Sequence, residues 1–176
     1  MYVIVLILSI LATMALSGLA FYLLEKRYFD HQQKQQLLAM KMDERKETLK
    51  VVTPIRLQSY ERMALFLERI SPDSLVLRCF TPGMDMTMLQ KVMTKNIRDE
   101  WEHNLSQQVY LSQELWERIR GAKDEMINLV NSSAVSLTEQ KDPTQLAAMI
   151  FASSAKRLPT EEAKSFLSKE IHELFG

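Results

Sequence analysis

Glu100 and His103 stand three residues apart, a spacing that puts two metal-binding side chains on one face of a helix. Di-iron bundles use such a Glu-x-x-His pair from each of two helices, plus a Glu from each of two more. Here there is one pair only, because Lys169 precedes His172 by three residues and Tyr28 precedes His31. A second pair would have to come from another copy of the chain. Charged helices produce this short motif by chance. The expectation is therefore that Glu100 and His103 are ordinary polar residues on a solvated helix face, with no cofactor. A membrane-tethered metalloenzyme using them is the alternative.

Nucleophilic chemistry has less to build on. Cys79 is the one cysteine and sits in the apolar run SLVLRCF, where a thiol behaves as a small hydrophobe. It excludes an intramolecular disulfide and fits a reducing compartment. There is no G-x-S-x-G elbow, P-loop or G-x-G-x-x-G. Arg56, Arg62, Arg69 and Arg78 alternate with Glu61 and Glu68, which reads as a paired helix face rather than a basic patch for nucleic acid or anionic lipid. Trp101, Tyr110 and Trp116 could clamp the corner between two helices or form a partner surface, since Trp and Tyr dominate interface hot spots. Beside them His103, Asn104, Ser106, Gln107 and Gln108 are suited to capping a helix end and its turn.

The elements that must position these residues are helical. Four glycines and five prolines are few for a β-rich chain, and Leu, Ala, Met, Glu, Gln and Lys favour helix. Twenty-two basic residues balance twenty-two acidic ones, so there is no global field for a polyanion and no nucleic acid is expected as a partner. Tyr2 to Leu24 carries no charge, and as a helix it would span ~34 Å, enough for the hydrocarbon core. A cleaved signal peptide ending near Gly18 and Ala20 would want a basic start and a shorter apolar core. Residues 1–24 are thus expected to be a transmembrane helix contacting the bilayer through residues 2–24. Lys26, Arg27, Lys34 and Lys41 come directly after it, which by the positive-inside rule leaves the N-terminus outside and the rest in the cytoplasm. The sequons at Asn104 and Asn131 would then never meet a glycosylation enzyme. Ser9, Thr13 and Ser17 form a stripe suited to close helix packing in lipid, or are simply small residues in a span.

Residues 25–52 hold no Gly or Pro and read as a helical stalk. Leu24, Tyr28, Leu38, Met42, Leu49 and Val52 fit three–four spacing, with His31, Gln35 and Arg45 interrupting the seam, so a weak coiled coil and a solvated stalk are both open. Thr53 and Pro54 predict a fresh N-cap and helix start. From there to Gly176 the pattern predicts an all-α domain of about five helices. The first carries Tyr60, Met63, Ala64, Leu67 and Ile70 on one face and ends at Ser71-Pro72. Residues 74–80 read as a short helix or extended connector. Turn chemistry at Thr81-Pro82-Gly83 precedes a helix from about Asp85 with Met88, Leu89, Val92, Met93, Ile97, Trp101 and Leu105 apolar. Ser112 and Asp142-Pro143 start two more, and Thr160-Glu161-Glu162 opens the last.

The blocks RLQSYERMALFLERISPDSLVLR (56–78) and EWEHNLSQQVYLSQELWE (100–117) resemble a family of short, N-terminally anchored, uncharacterised bacterial proteins of Bacteroidota type. That resemblance implies one span followed by a helical cytoplasmic domain, and implies no activity or catalytic residue. The expected object is a single-pass inner-membrane structural or adaptor subunit of a membrane-associated assembly, with no catalytic activity. Its partner would be a membrane or cytoplasmic protein, or a second copy of itself.

Overall fold

The computed structural model describes residues 1–137, 142–155 and 158–175; the side chains of Val5, Leu8, Ser9, Ala12 and Phe175 lie outside that description. Among the described residues every regular element is helical: α1 (Tyr2–Arg69), α2 (Pro72–Cys79), α3 (Met86–Asn104), a 3-10 helix (Leu105–Tyr110), α4 (Gln113–Val135), α5 (Pro143–Ser154) and α6 (Pro159–Phe175). The all-α class expected from composition is what the structure has. The chain forms two compact units, Met1–Val52 and Thr53–Gly176.

The first unit is helix throughout. Val3, Ile4, Leu6, Leu16, Leu19 and Leu23 all keep more than half of their surface exposed, and at 100° per residue they point to every side of the helix. Thr13 Oγ1 donates to the Ile10 carbonyl (2.9 Å) and Ser17 Oγ to that of Met14 (3.0 Å), so these two hydroxyls of the small-residue stripe bond their own helix. Ser9, the third member, falls outside the described side chains. Among the described residues no helix is long and apolar enough to cross a membrane; the side chains of Val5, Leu8, Ser9 and Ala12, inside the expected span, are outside the description. Further along, polar side chains pair at i,i+3 and i,i+4, as in Gln32 to Tyr28 (3.0 Å) and Lys50 to Glu47 (2.7 Å). Leu38, Met42 and Leu49 are exposed.

Thr53 and Pro54 do not start a new helix: α1 runs through them, with Pro54 inside. A proline removes one hydrogen bond to the carbonyl four residues back and crowds it, at about 3 kcal/mol. Its φ is itself helical, however, and beyond the β-branched Val51, Val52, Thr53 and Ile55 the good helix formers Leu49, Lys50, Arg56, Leu57 and Gln58 keep the ladder going. Helix propagation needs one favourable residue at a time, so one missing bond does not force an end.

In the second unit α4 packs against α3, α5 and α6, while α2 packs against α3 and α5. The remainder of α1 contributes Tyr60, Met63, Leu67 and Ile70 to the core as its spacing predicts, and also Phe66 and Ser59. α1 stops before Pro72, which takes the first turn of α2. Residues 74–80, open between helix and connector in the sequence, lie mostly in α2. Asp85, Ser112 and Asp142 are N-caps, accepting from the backbone nitrogens of Met88, Leu115 and Thr144. Gly83 holds φ 89° in the turn before α3, a conformation glycine adopts without strain. Met88 and Leu105, expected on an apolar face, are exposed, and so are Phe151 and Leu174. They sit at the margin of their stripes or in end turns, where no second helix covers them.

One polar network ties the two ends of this unit together. The Tyr60 hydroxyl, on a fully buried ring, donates to Glu170 Oε1 at 2.6 Å, and Ser112 Oγ donates to Glu170 Oε2. Arg56 donates to the Tyr60 oxygen (3.3 Å) and to the Tyr110 carbonyl (3.2 Å). Burial first, then the Glu170 hydrogen bond, push the Tyr60 phenol from its ordinary 10.0 up to about 12, against the pull of Arg56. The folded state therefore holds this proton more tightly than the unfolded chain does. The stability this contributes is complete below pH 10 and is lost as pH rises toward 12. Tyr60→Phe should lower stability at neutral pH by about 1 kcal/mol, for the lost hydrogen bond. It should also flatten the alkaline loss in a pH series of denaturant melts, and parallel curves for the two proteins would contradict the assignment.

Candidate partner-docking site

Glu100 lies on α3 three residues before His103, and helix geometry places both toward the end of α1. Its carboxylate does not face solvent: the side chain is 16 % exposed. Oε1 receives Arg69 Nε at 3.2 Å and Arg78 Nη1 at 3.3 Å. Arg78 goes further, donating through Nη2 to the Arg69 carbonyl and to Asn96 Oδ1, both at 2.9 Å. Ser71 Oγ donates to the Glu68 carbonyl (2.7 Å). Two side chains thus satisfy carbonyls that the end of α1 leaves without helical partners. The planar guanidinium of Arg78 suits the task, since its rigid fork serves a carboxylate, a carbonyl and an amide at once. The expectation of a solvated Glu100 is corrected, and the reason is tertiary: its arginine partners come from other helices.

His103 is exposed and makes no hydrogen bond with a described residue. Among the described residues no group of three or more His, Cys, Asp or Glu is arranged to hold a metal ion. Cys79 is buried at the end of α2, and burial pushes its thiol up against the opposing charge of Arg78, which suits a core residue rather than a nucleophile.

The two tryptophans meet. Trp101 of α3 and Trp116 of α4 stack at 4.4 Å between centroids and 27° between planes. Phe66 of α1 lies 5.6 Å from Trp101, and Lys123 Nζ sits 4.9 Å from its ring centroid. These contacts join α1, α3 and α4 through three rings. Tyr110 has no part in the stack: its side chain is exposed, and its carbonyl is what Arg56 holds. The polar series does less capping than its composition suggests. Asn104 Nδ2 donates back to the Glu100 carbonyl (2.8 Å) and Gln107 reaches only Ser106 (3.2 Å). Gln108 makes no side-chain hydrogen bond with a described residue. The chain instead tightens into the 3-10 helix, whose bonds satisfy the last carbonyls of α3. Both sequon asparagines are engaged, Asn131 accepting from Gln90 Nε2 at 3.0 Å.

Beside the arginine cluster the surface is concave. One depression, of about 260 Å³, is lined by Arg62, Leu65, Phe66, Arg69, Glu100, His103 and Asn104. A second, of about 370 Å³, shares Arg69, Glu100 and His103 and adds Asn96 and Asp99. Together they place Glu100, His103 and Asn104 at one surface. Phe66 and Leu65 were missing from the candidate residues, although their spacing from Arg62 on α1, i+4 and i+3, was readable. Arg62 was expected on a paired helix face, yet it makes no ion pair with a described residue. The profile of a family of unknown function, DUF7935, matches residues 2–174.

The chain belongs to this family. No curated protein and no solved structure matches the chain. For this member of DUF7935 the geometry separates two roles that the sequence had merged: Trp101 and Trp116 hold helices together, while His103 and its arginine neighbours face outward. Trp101 is only partly buried, so Trp101→Ala should cost about 3 kcal/mol, at the low end for such truncations. Thermal or denaturant melts would show this. An unchanged midpoint would remove the clamp.

Proposed function

We propose that the protein is a single-pass, membrane-anchored adaptor or structural subunit of a Bacteroidota-type bacterium, held by residues 2–24 in the inner membrane. Its helical domain lies in the cytoplasm, and it has no catalytic activity of its own. The observation that carries the reading is the uncharged run Tyr2 to Leu24, a helix with large apolar side chains on every side. A helix apolar all round belongs in a core or a bilayer. Lys26, Arg27, Lys34 and Lys41 directly after it support the cytoplasmic side for the rest of the chain. The adaptor role is supported by what the reactive residue types are doing. Glu100 is held by two arginines, Glu170 accepts from two hydroxyls, and Cys79 is buried.

Membrane fractionation tests the anchor. The full chain should stay in the pellet through salt and alkaline washes and leave only with detergent. Ile10→Arg together with Leu11→Arg should release it, since each charge costs about 2.5–3.5 kcal/mol at mid-bilayer. A reporter active only after export, fused at Gly176, should be silent. Release of the unmodified chain by salt would sink the anchor. A chain that purifies alone as a monomer, with no companion, would remove the support for an adaptor.

A further inference from the structure

We propose that the depression beside the α1–α3 arginine cluster docks an acidic amphipathic helix of a partner protein. This deepens the adaptor reading, on which it rests for the existence of a partner, by naming that partner's chemistry. Arg62 and Arg69 are seven residues apart on α1, so they sit two turns and roughly 10.5 Å from one another on one face. Leu65 and Phe66 fall between them on that face. Phe66 is buried as a floor while Leu65 is 62 % exposed, an apolar side chain left open between two cations. His103 borders the same surface from α3.

The two arginines are unevenly used. Arg62 makes no ion pair or hydrogen bond with a described residue. Arg69 spends Nε on Glu100, leaving its two terminal nitrogens without a described partner. The Glu100 carboxylate is shared between Arg69 and Arg78, and Asp99 is neutralised by Lys95. Arg62 and Arg69 are thus the cations lining the two depressions, and Asp99 and Glu100 the carboxylates. With both carboxylates already paired, Arg62 and the outer nitrogens of Arg69 are what a ligand can meet.

The spacing selects the ligand. A helix with Asp or Glu seven residues apart and apolar residues between repeats the same roughly 10.5 Å, so it can meet both guanidiniums and cover Leu65 at once. A single phosphate is too small to do either. A nucleic-acid strand, with a charge about every 3.4 Å of rise, presents a continuous charged backbone and no apolar side chain between two acids to cover Leu65.

The test displays a library of short helical peptides to the full chain in detergent micelles. Enriched peptides should carry an acidic pair at seven-residue spacing around apolar residues. Their binding should fall at least roughly tenfold with Arg62→Glu, and return when the facing peptide acid becomes Lys. Circular dichroism checks that this variant folds, and Leu65→Ser provides a second variant outside the charge cluster. Enrichment without the acidic pair, binding untouched by both variants, or displacement by inorganic phosphate, anionic vesicles or oligo-dT would overturn the proposal. A chain that holds to membranes but enriches no acidic peptide overturns this docking site and leaves the anchor standing. A chain that washes off yet enriches them does the reverse.

Discussion

Glu170 accepts a hydrogen bond from Tyr60 on one oxygen and from Ser112 on the other, and the helical domain depends on that arrangement. A partly buried carboxylate is costly unless its lone pairs are met. Here they are met by one hydroxyl from α1 and one from the N-cap of α4, so satisfying Glu170 requires three helices to sit in register. Ser112 serves twice, since it also receives the Leu115 backbone nitrogen at 3.1 Å. Arg56 extends the same chain of bonds to the Tyr110 carbonyl at the end of the 3-10 helix. The non-directional burial of Leu167, Ile119 and Met63 supplies most of the driving force. The hydrogen bonds restrict which packing of those apolar faces is acceptable.

Glu100 does the corresponding task where α1 ends, at Arg69. Its two arginines, together with Ser71, close a helix terminus that would otherwise leave carbonyls facing the start of α2. The ring stack of Trp101 and Trp116 lies one residue along α3, so the polar closure and the aromatic clamp support each other. What is left over is the outward face: Arg62, Leu65 and His103, none of which the fold uses. A surface that a protein's own packing leaves charged and open is where a binding role can reside without a stability cost.

Helix positions were legible because they depend on local chemistry. Pro72, Asp85, Ser112, Asp142 and the acid-rich start of α6 act within one turn of themselves, and each does what its residue type dictates. Pro54 misled for the same reason. Its local signal is a start, but a helix already running through it from both sides outweighs one lost bond. Residues 74–80 were ambiguous because a short apolar run carries no period long enough to separate helix from strand.

The candidate site was half legible. The sequence alone determined that the chain is helical, that its first residues are apolar on all sides, and that Glu100, His103, Trp101 and Trp116 cluster along the chain. These features arise from composition and from periods of three and four, which are properties of neighbours. Only the tertiary structure decided that Glu100 belongs to Arg69 and Arg78, that Trp101 finds Trp116 and Phe66, and that Glu170 joins Tyr60 to Ser112. Those pairings link residues far apart in the chain, and no local rule encodes which of several helix faces will meet. Burial decides it, by making each unpaired charge or hydroxyl costly until the one packing that pairs them is reached.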